Sequence, residues 1–344
     1  MDKDMLILLI LWALPISALA QDQYLMTVAG YDGSSANPNV PPWDDQVHLI
    51  SLDPNVAVPE CLQRLNSFRY LEGACMAVLL EDQPHVCAGW DAYTGYNGKC
   101  YGYDPILDSW TESGSLTVQR NEYAGCTFSY AHGMVIAGGY GIDNGPPYFL
   151  DTVEHTMYGT VSGKLPDLPQ KMQSDCLVAL WGGDLFIAGG IISGIDGSNM
   201  VSDKTYIYSD YDNVWNGVAD MIKPRERLMC ASVAAGDGNQ QEVITAGGAN
   251  ALGETTDIVE IYSVNTGSWR TANSLPSPIR EATVVPFQES FLIVGGVSDG
   301  SLSDLIYRYD TGTDSWELDD ARLPVAASGV AATMVYSYIF PACE

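Results

Sequence analysis

The feature of this sequence that most constrains its fold is a short motif that occurs six times. In the four clearest copies an apolar run ends in two glycines, as in Phe186–Gly190. Two weaker copies, Thr27–Gly30 and Val86–Gly89, precede them. Successive copies are 48 to 59 residues apart, and their last glycines are Gly30, Gly89, Gly139, Gly190, Gly248 and Gly296. A fixed period of this length is typical of architectures in which each repeat forms one structural unit.

A second marker follows the glycine doublet. A tyrosine in a strand-like segment precedes a tryptophan by seven residues in four pairs: Tyr103 and Trp110, Tyr208 and Trp215, Tyr262 and Trp269, and Tyr309 and Trp316. Glycine permits positive φ at a strand end, and aromatic side chains bury large areas between neighbouring sheets. No single unit of this size can bury its own faces, so the units are expected to stack against each other.

The doublet, the tyrosine and the tryptophan together resemble the kelch repeat, over nearly all of residues 24–335. The resemblance implies an all-β fold, a six-bladed kelch-type β-propeller. Residues Ala326–Val335 look like the inner strand of a blade, yet no further blade follows, and the first repeat lacks this strand. As in kelch domains generally, we expect this C-terminal strand to complete the N-terminal blade and close the ring.

Residues 1–20 are predicted to be a signal peptide, and residues 21–344 to form the propeller domain. Met5–Leu14 is an uninterrupted apolar run, followed by Pro15 and the small-residue exit Ala18–Ala20. The residues before it carry two acids and one lysine, whereas a net positive charge is usual. The alternative, a membrane anchor, needs ~20 apolar residues. We therefore expect a secreted, extracellular monomer without stable membrane insertion.

The charge of the chain constrains its partners. With 43 acidic and 15 basic residues, the formal net charge is −28. Such a field repels nucleic acid phosphates and anionic lipid surfaces, so no nucleic acid partner is expected. The same charge keeps a secreted protein in solution, and it therefore does not by itself select a partner.

All eight cysteines follow the predicted cleavage site, and an even number in an oxidising compartment predicts disulfides. Cys87 and Cys100 lie in adjacent strands of the second repeat, and antiparallel pairing brings them within bonding range. A bond between Cys61 and Cys343 is predicted to latch the ring closure. Without a CxxC motif or a Cys/His cluster, no zinc or other metal site is predicted. The remaining four cysteines precede doublet strands and either pair between neighbouring blades or stay as buried thiols: Cys75, Cys126, Cys176 and Cys230.

The connections after the glycine doublets are predicted to form the binding surface. They are longest in the first four repeats, at 31–46, 90–99, 140–150 and 191–203, and the repeat places them on one face. Exposed aromatic residues on loops of a rigid scaffold are the usual anchors of such surfaces. The alternative is that these loops pack only against each other. The predicted anchors are Trp43, Trp90, Tyr93, Tyr96, Tyr140 and Tyr148.

A second candidate set lies where the inner strands begin. Arg120, Arg225 and Arg280 each occur there beside a glutamate, and repeat symmetry places them near the central opening. Converging guanidiniums can bind a carboxylate while a nearby glutamate moves a proton. The alternative is a set of salt bridges between blades.

Two groups of kelch-type enzymes offer a comparison. Galactose oxidase-like proteins hold copper with histidines and tyrosines, but here the four histidines are scattered along the chain, and we expect no copper and no other cofactor. Kelch-type sialic acid mutarotases are exported and use a glutamate and an arginine, so this enzymatic activity is the alternative function. No GxSxG, HExxH or P-loop pattern occurs. The sequence favours a non-enzymatic extracellular module that binds a protein or glycan through its loop face.

Overall fold

The computed structural model describes residues 22–28, 30–33, 46–63, 65–68, 75–78, 83–91, 95–120, 125–142, 148–157, 160–173, 176–193, 198–235, 238 and 240–340. Apart from three short 3-10 turns, the regular secondary structure of these residues consists of β-strands. The turns are Glu60–Leu62, Trp181–Gly183 and Ser337–Ile339. Within those ranges, no helix has the length and hydrophobicity required to span a lipid bilayer.

The strands are short, as expected for an all-β repeat protein. The first ten are β1 (Gln23–Val28), β2 (Val47–Ser51), β3 (Cys75–Val78), β4 (Pro84–Asp91), β5 (Gly95–Asp104), β6 (Ser109–Arg120), β7 (Gly125–Ser129), β8 (Gly133–Ala137), β9 (Tyr140–Ile142) and β10 (Tyr148–Phe149). The next ten are β11 (Val153–Met157), β12 (Thr160–Leu165), β13 (Met172–Gln173), β14 (Leu177–Ala179), β15 (Leu185–Ala188), β16 (Ile191–Ser193), β17 (Asn199–Val201), β18 (Thr205–Ser209), β19 (Val214–Gly217) and β20 (Met229–Ala235). The last ten are β21 (Gln240–Ala246), β22 (Val259–Ser263), β23 (Ser268–Thr271), β24 (Thr283–Phe287), β25 (Ser290–Val294), β26 (Val297–Ser298), β27 (Ser301–Leu302), β28 (Leu305–Asp310), β29 (Ser315–Arg322) and β30 (Ala331–Tyr336).

The main strands form antiparallel sheets that follow the sequence repeats, and we number these sheets 1 to 6 along the chain. Sheet 1 has the order β30-β1-β2, and sheet 2 the order β3-β4-β5-β6, extended by β9 and β10. Sheet 3 is β7-β8-β11-β12, sheet 4 is β14-β15-β18-β19, sheet 5 is β20-β21-β22-β23 and sheet 6 is β24-β25-β28-β29. The sequential order of strands in sheets 3 to 6 is that of a meander.

Sheet 1 is assembled from both ends of the described chain. Strand β1 pairs with β2 on one side and with β30 on the other, from Gln23 opposite Tyr336 to Val28 opposite Ala331. The first strands of the sheets also contact one another, in the order β30, β3, β7, β14, β20, β24 and back to β30. The first strands of successive sheets therefore lie next to one another.

The glycine doublets lie where one sheet meets the next. In sheet 5, Gly247 and Gly248 have φ angles of +61° and +92°, which favour glycine. The N–H of Gly248 donates to the carbonyl of Ile279, 2.8 Å away, in the segment that leads into sheet 6. A Cβ atom on Gly247 would lie 2.2 Å from the same carbonyl oxygen. A side chain at this position would therefore push the two sheets apart.

The tryptophans connect the outer strands of neighbouring sheets. Tyr262 and Trp269 are directly opposite each other in sheet 5, and their rings pack around Phe186 of sheet 4 at centroid distances of 5.3 and 6.0 Å. The indole N–H of Trp269 donates to the carbonyl of Ala219, 2.8 Å away. Trp215 and Trp316 donate in the same way to carbonyls that precede their own sheets. The predicted packing of aromatic residues between neighbouring units is therefore confirmed.

The tyrosines of the same pairs fix the turn that leads to the tryptophan strand. The hydroxyl of Tyr309 donates to the carboxylate of Asp314, 2.7 Å away, and Tyr103 makes the same bond to Asp108. Both aspartates have positive φ, near +50° and +45°, a conformation that Asp and Asn tolerate better than most residues. Burial, followed by the hydrogen bond to aspartate, raises the pKa of both tyrosines, so each hydroxyl remains a donor.

The structure contains the predicted Cys87–Cys100 disulfide, with a Cα–Cα distance of 4.1 Å between β4 and β5. A second disulfide joins Cys176 to Cys230 across 5.2 Å, from sheet 4 to sheet 5. The inner-strand cysteines were predicted either to pair between neighbouring blades or to stay as buried thiols, and Cys176 and Cys230 are paired between neighbouring sheets. Cys61 is also disulfide-bonded. Its predicted partner Cys343 lies outside the described residues, and the Cys61–Cys343 bond stays a prediction.

Truncation of the chain before Ala326 should remove the cooperative unfolding of the whole domain. The deletion takes away β30, which supplies an entire edge of hydrogen bonds to β1 and buries Ala331 and Val335 in the core that sheets 1 and 2 share. Thermal melting followed by circular dichroism compares the truncated and full-length chains. If the truncated chain kept the midpoint and the steepness of the full-length melting transition, the pairing of β1 with β30 would be dispensable for the fold.

Candidate functional site

The connections after the glycine doublets form short β-hairpins in the described part of the chain, and we call the surface that they occupy the hairpin face. The hairpins are β9/β10 in the third repeat, β16/β17 in the fourth and β26/β27 in the sixth. The predicted loop at 90–99 is also mostly strand, because β4 continues to Asp91 and β5 begins at Gly95. Strand pairing therefore satisfies backbone hydrogen-bonding groups of the described residues in these connections, which the sequence predicted to be loops.

Four of the six predicted aromatic anchors have side chains beyond what the structure describes. Trp43 and Tyr93 lie outside the described residues. The backbones of Trp90 and Tyr96 are paired directly opposite each other in the β4/β5 hairpin, and their side chains are not described. The role of these four residues stays a prediction.

The other two anchors lie on the β9/β10 hairpin and are partly exposed. The ring of Tyr140 packs edge-on against Phe149 at a centroid distance of 5.5 Å. The ammonium group of Lys171 lies 4.1 Å above the ring of Tyr148. Strand β9 is paired with β6, where Gln119 is opposite Ile142. Both rings are therefore held on a hairpin that is fixed to sheet 2.

Arg120 is fully buried and forms an ion pair inside the protein. Its guanidinium nitrogen lies 2.6 Å from a carboxylate oxygen of Glu154, and both side chains are 0% exposed. The same guanidinium donates to the carbonyls of Gly138 and Thr152 and to the hydroxyl of Thr152. Glu154 in turn accepts a 2.7 Å hydrogen bond from the N–H of Thr117. The guanidinium and the carboxylate are thus hydrogen-bonded to other protein groups and shielded from solvent.

Arg225, in the segment that leads into sheet 5, forms the same kind of buried ion pair as Arg120 in the segment that leads into sheet 3. It lies 2.9 Å from Glu260, again with both side chains 0% exposed, and donates to the carbonyl of Gly247 at 2.7 Å and to Thr245 at 3.0 Å. Burial lowers the pKa of Arg225 and raises the pKa of Glu260, while their ion pair opposes both shifts. In this conformation no ligand reaches the guanidinium of Arg120 or Arg225, and both groups match the salt-bridge alternative.

Arg280 is not equivalent to Arg225, although the sequence suggests that it is. Arg225 accepts a backbone hydrogen bond from Gly190, and the residue that accepts the corresponding bond from Gly248 is Ile279. Arg280 is therefore displaced by one position, and its side chain is 26% exposed. The displacement explains its different environment, because alternate positions along an extended segment face opposite sides.

A solvent-accessible ion pair lies where the inner strands of sheets 5 and 6 begin. Arg227 and Glu281 are directly ion-paired, with side chains 33% and 15% exposed. Both have positive φ, near +51° and +56°, and the N–H of Glu281 donates to the carbonyl of Arg227, 3.2 Å away. The N–H of Gly329 donates similarly to the carbonyl of Glu281. These residues link three successive sheets.

Glu154 and Glu260, the partners of the buried arginines, were not predicted from the sequence. Both occur in the pattern Asp-x-Val-Glu, as Asp151–Glu154 and Asp257–Glu260, with the glutamates 15 and 12 residues after the second glycine of their doublets. A glutamate in a strand that is otherwise buried was the available signal, because such a charge needs a buried partner. In the described residues, no group of three or more His, Cys, Asp or Glu side chains is arranged to hold a metal ion.

Substitution of Arg225 by Met should destabilise the fold by about 3 to 5 kcal/mol, because it leaves the Glu260 carboxylate buried without a counter-charge. The double variant Arg225→Met/Glu260→Met should lose much less than the sum of the two single variants. Denaturant unfolding measures both values. The control is Arg270→Met, whose side chain is 51% exposed beside Glu242 and which should cost less than about 1 kcal/mol. Equal losses for Arg225→Met and Arg270→Met would contradict the structural role.

Part of this chain is similar in sequence to known proteins, although no family model matches it. Kelch-like protein 36 of Mus musculus is 31% identical over 157 residues, which are 45% of this chain and 24% of that protein. An F-box/kelch-repeat protein of Arabidopsis thaliana is 28% identical over 160 residues, 46% of this chain and 41% of that protein. The matched region therefore spans less than half the length of these relatives.

The fold has a counterpart among solved structures. The structure of YjhT superposes with a TM-score of 0.63 at 13% identity, covering 80% of this chain and 91% of that chain. At this level of identity the likeness extends to the fold. The similarity to the two kelch-repeat proteins, together with the glycine doublets and the Tyr–Trp pairs, identifies the chain as a member of the kelch-repeat family, and the likeness to the solved structure adds the β-propeller fold.

Proposed function

We propose that this chain is an extracellular binding module that captures a protein or a glycan through its hairpin face. The observation that carries the proposal is the β9/β10 hairpin, on which Tyr140 and Tyr148 are held partly exposed on a strand paired to sheet 2. Aromatic rings fixed before binding lose little conformational entropy on contact with a partner. Tyrosine and tryptophan are also the residue types that contribute most at protein interfaces.

The proposal includes a ring of six blades closed by the C-terminal strand. Its support is the pairing of β30 with β1 and the order of contacts among the first strands, which returns to its starting point. In a closed ring each sheet protects the faces of its neighbours, and the hairpins gather on one surface. Four predicted anchors outside the described side chains, Trp43, Trp90, Tyr93 and Tyr96, belong to connections of the same type and are proposed to extend that surface.

An enzymatic function has weaker support. Of the three arginines predicted at the central opening, Arg120 and Arg225 are 0% exposed. The accessible alternative is the Arg227–Glu281 pair. An enzyme that used this pair would lose activity in Glu281→Gln, whereas a binding module would keep its ligand in that variant.

Replacement of Trp43 and Trp90 by alanine should abolish capture of the partner and leave the melting temperature unchanged. The reason is that side chains exposed for binding contribute contact area to the partner and little to the fold. The immobilised chain is incubated with extracellular fluid of its source and with a glycan array, and retained molecules are identified by mass spectrometry. Leu318→Ala, at a side chain that is 45% exposed on β29, is the control and should capture normally. A lower melting temperature with intact capture would show that the two tryptophans only pack the loops.

The export part of the proposal has its own test. If residues 1–20 are removed during secretion, the mature protein should begin at Gln21, and its mass spectrum should show this N-terminus. Peptide mapping of the same sample without reduction should recover a peptide that joins Cys61 to Cys343. An intact Met1 in the released protein would contradict the signal peptide, and a free Cys343 would contradict the predicted latch.

A further inference from the structure

Three turns at the end of the sheets opposite the hairpin face carry exposed aromatic side chains. Tyr130 lies between β7 and β8, Trp181 between β14 and β15, and Tyr211 between β18 and β19. Their exposed fractions are 94%, 52% and 96%. Strand β15 begins after the Trp181 turn and ends at the connection that contains β16 and β17, so the two surfaces are at opposite ends of sheet 4. We call these three residues the turn patch.

The three turns contact each other directly. His132, in the Tyr130 turn, places its Nε2 atom 3.1 Å from Oδ1 of Asp210, which precedes Tyr211. The N–H of Asp210 donates to the carboxylate of Asp184, 2.8 Å away, at the end of the Trp181 turn. A Cβ atom on Gly183 would lie 3.0 Å from the Cβ atom of Ala131. Tyr130 and Tyr211 are each adjacent in sequence to one of these contacting residues, and Trp181 is two positions from Gly183, so the turns that carry them are in direct contact.

The backbone beneath the turn patch is fixed. The N–H of Trp181 donates to the side-chain oxygen of Gln241 in sheet 5, 3.0 Å away. The ring of Tyr130 packs edge-on against Phe128 at a centroid distance of 5.5 Å. Exposed aromatic residues on a rigid base are the arrangement found at the centre of protein interfaces, since little order has to be created on binding. Several exposed aromatic side chains on contacting turns are typical of an interaction site.

The charge around the turn patch specifies the chemistry of its ligand. Asp184, Asp210 and Asp212 lie in these turns, and the segments 129–133, 180–184 and 209–213 contain no lysine or arginine. The side chain of Asp210 is 38% exposed beside His132, and Asp212 is exposed. A guanidinium stacks on tyrosine and tryptophan faces and pairs with a carboxylate at the same time. An acidic group on the ligand would be repelled both by these carboxylates and by the net charge of −28.

We propose that the turn patch binds an arginine-rich segment of a partner protein. The guanidinium groups stack on Tyr130, Trp181 and Tyr211, and the neighbouring aspartates supply the opposite charge. This surface is separate from the hairpin face, so the chain would present two binding surfaces at opposite ends of its sheets. The inference stands on its own observations and does not require that the hairpin face binds anything.

The probe is a fluorescein-labelled peptide of alternating arginine and glycine, titrated with the full-length chain and followed by fluorescence anisotropy. The wild type should bind it, and the double variant Tyr130→Ala/Tyr211→Ala should bind at least about tenfold more weakly. Asp212→Asn should weaken binding several-fold. Affinity should fall as salt is raised from about 50 to about 300 mM, because charge pairs at an exposed surface are screened. A matching glutamate and glycine peptide should not bind.

Two controls separate this proposal from its alternatives. Leu252→Ala removes a side chain that is 81% exposed near the opposite end of sheet 5 and should bind the arginine peptide like the wild type. Trp43→Ala should also bind it normally, so failure at the hairpin face leaves this result untouched. Unchanged affinity in Tyr130→Ala/Tyr211→Ala would overturn the proposal, since it would show that net charge alone holds the peptide. The proposal would also be overturned if the wild type bound a glycan independently of salt and Tyr130→Ala/Tyr211→Ala were the only variant to lose that binding.

Discussion

The arrangement of the sheets depends on one backbone hydrogen bond that recurs between neighbours. The second glycine of a doublet donates to a carbonyl of the segment that enters the next sheet: Gly139 to Met172, Gly190 to Arg225, Gly248 to Ile279 and Gly296 to Ala327. The first glycine approaches the same carbonyl so closely that a Cβ atom would lie 2.2 to 2.8 Å from its oxygen. Both the bond and the close approach require a residue without a side chain and with positive φ. The doublet therefore sets the distance between sheets along the inner part of the molecule.

The outer part is held by side chains instead. Trp215, Trp269 and Trp316 each donate their indole N–H to a carbonyl that precedes their sheet. Tyr309, the partner of Trp316, also fixes the turn between the two aromatic strands through its hydrogen bond to Asp314. The same turn reaches back to the preceding sheet, because the side-chain N–H of Asn273 donates to the carbonyl of Asp314, 2.6 Å away. The Cys176–Cys230 bond adds a covalent link between sheets 4 and 5. Because the glycine doublets and the aromatic residues join neighbouring sheets at different places, the sheets have little freedom to change their relative orientation.

This rigidity is what makes the two ends of the sheets suitable for binding. The contacts made by the glycine doublets and the tryptophans recur between repeats, whereas the exposed side chains of the hairpins and turns differ from repeat to repeat. Sheet 3 shows the contrast within a single unit, where Glu154 is completely buried while Tyr130 is 94% exposed. A buried charge has to be matched by a partner inside the protein, whereas an exposed aromatic ring gains most from a partner outside it.

The sequence alone determined the class of fold, the units of repetition and the Cys87–Cys100 bond, because all three depend on spacing along the chain. A glycine doublet or a Tyr–Trp pair has the same local meaning in every repeat, and residues in adjacent strands are near each other once the strands pair. Only the tertiary structure decided the roles of the arginines. Arg225 and Arg280 have similar surroundings in the sequence, yet a shift of one residue buries the first against Glu260 and leaves the second partly in solvent. The turn patch was also beyond the sequence, since Tyr130, Trp181 and Tyr211 come from two sheets and meet only when those sheets are side by side. The spacing of residues along the sequence indicates which of them share a strand. The register between strands and the contacts between sheets are fixed by packing in three dimensions.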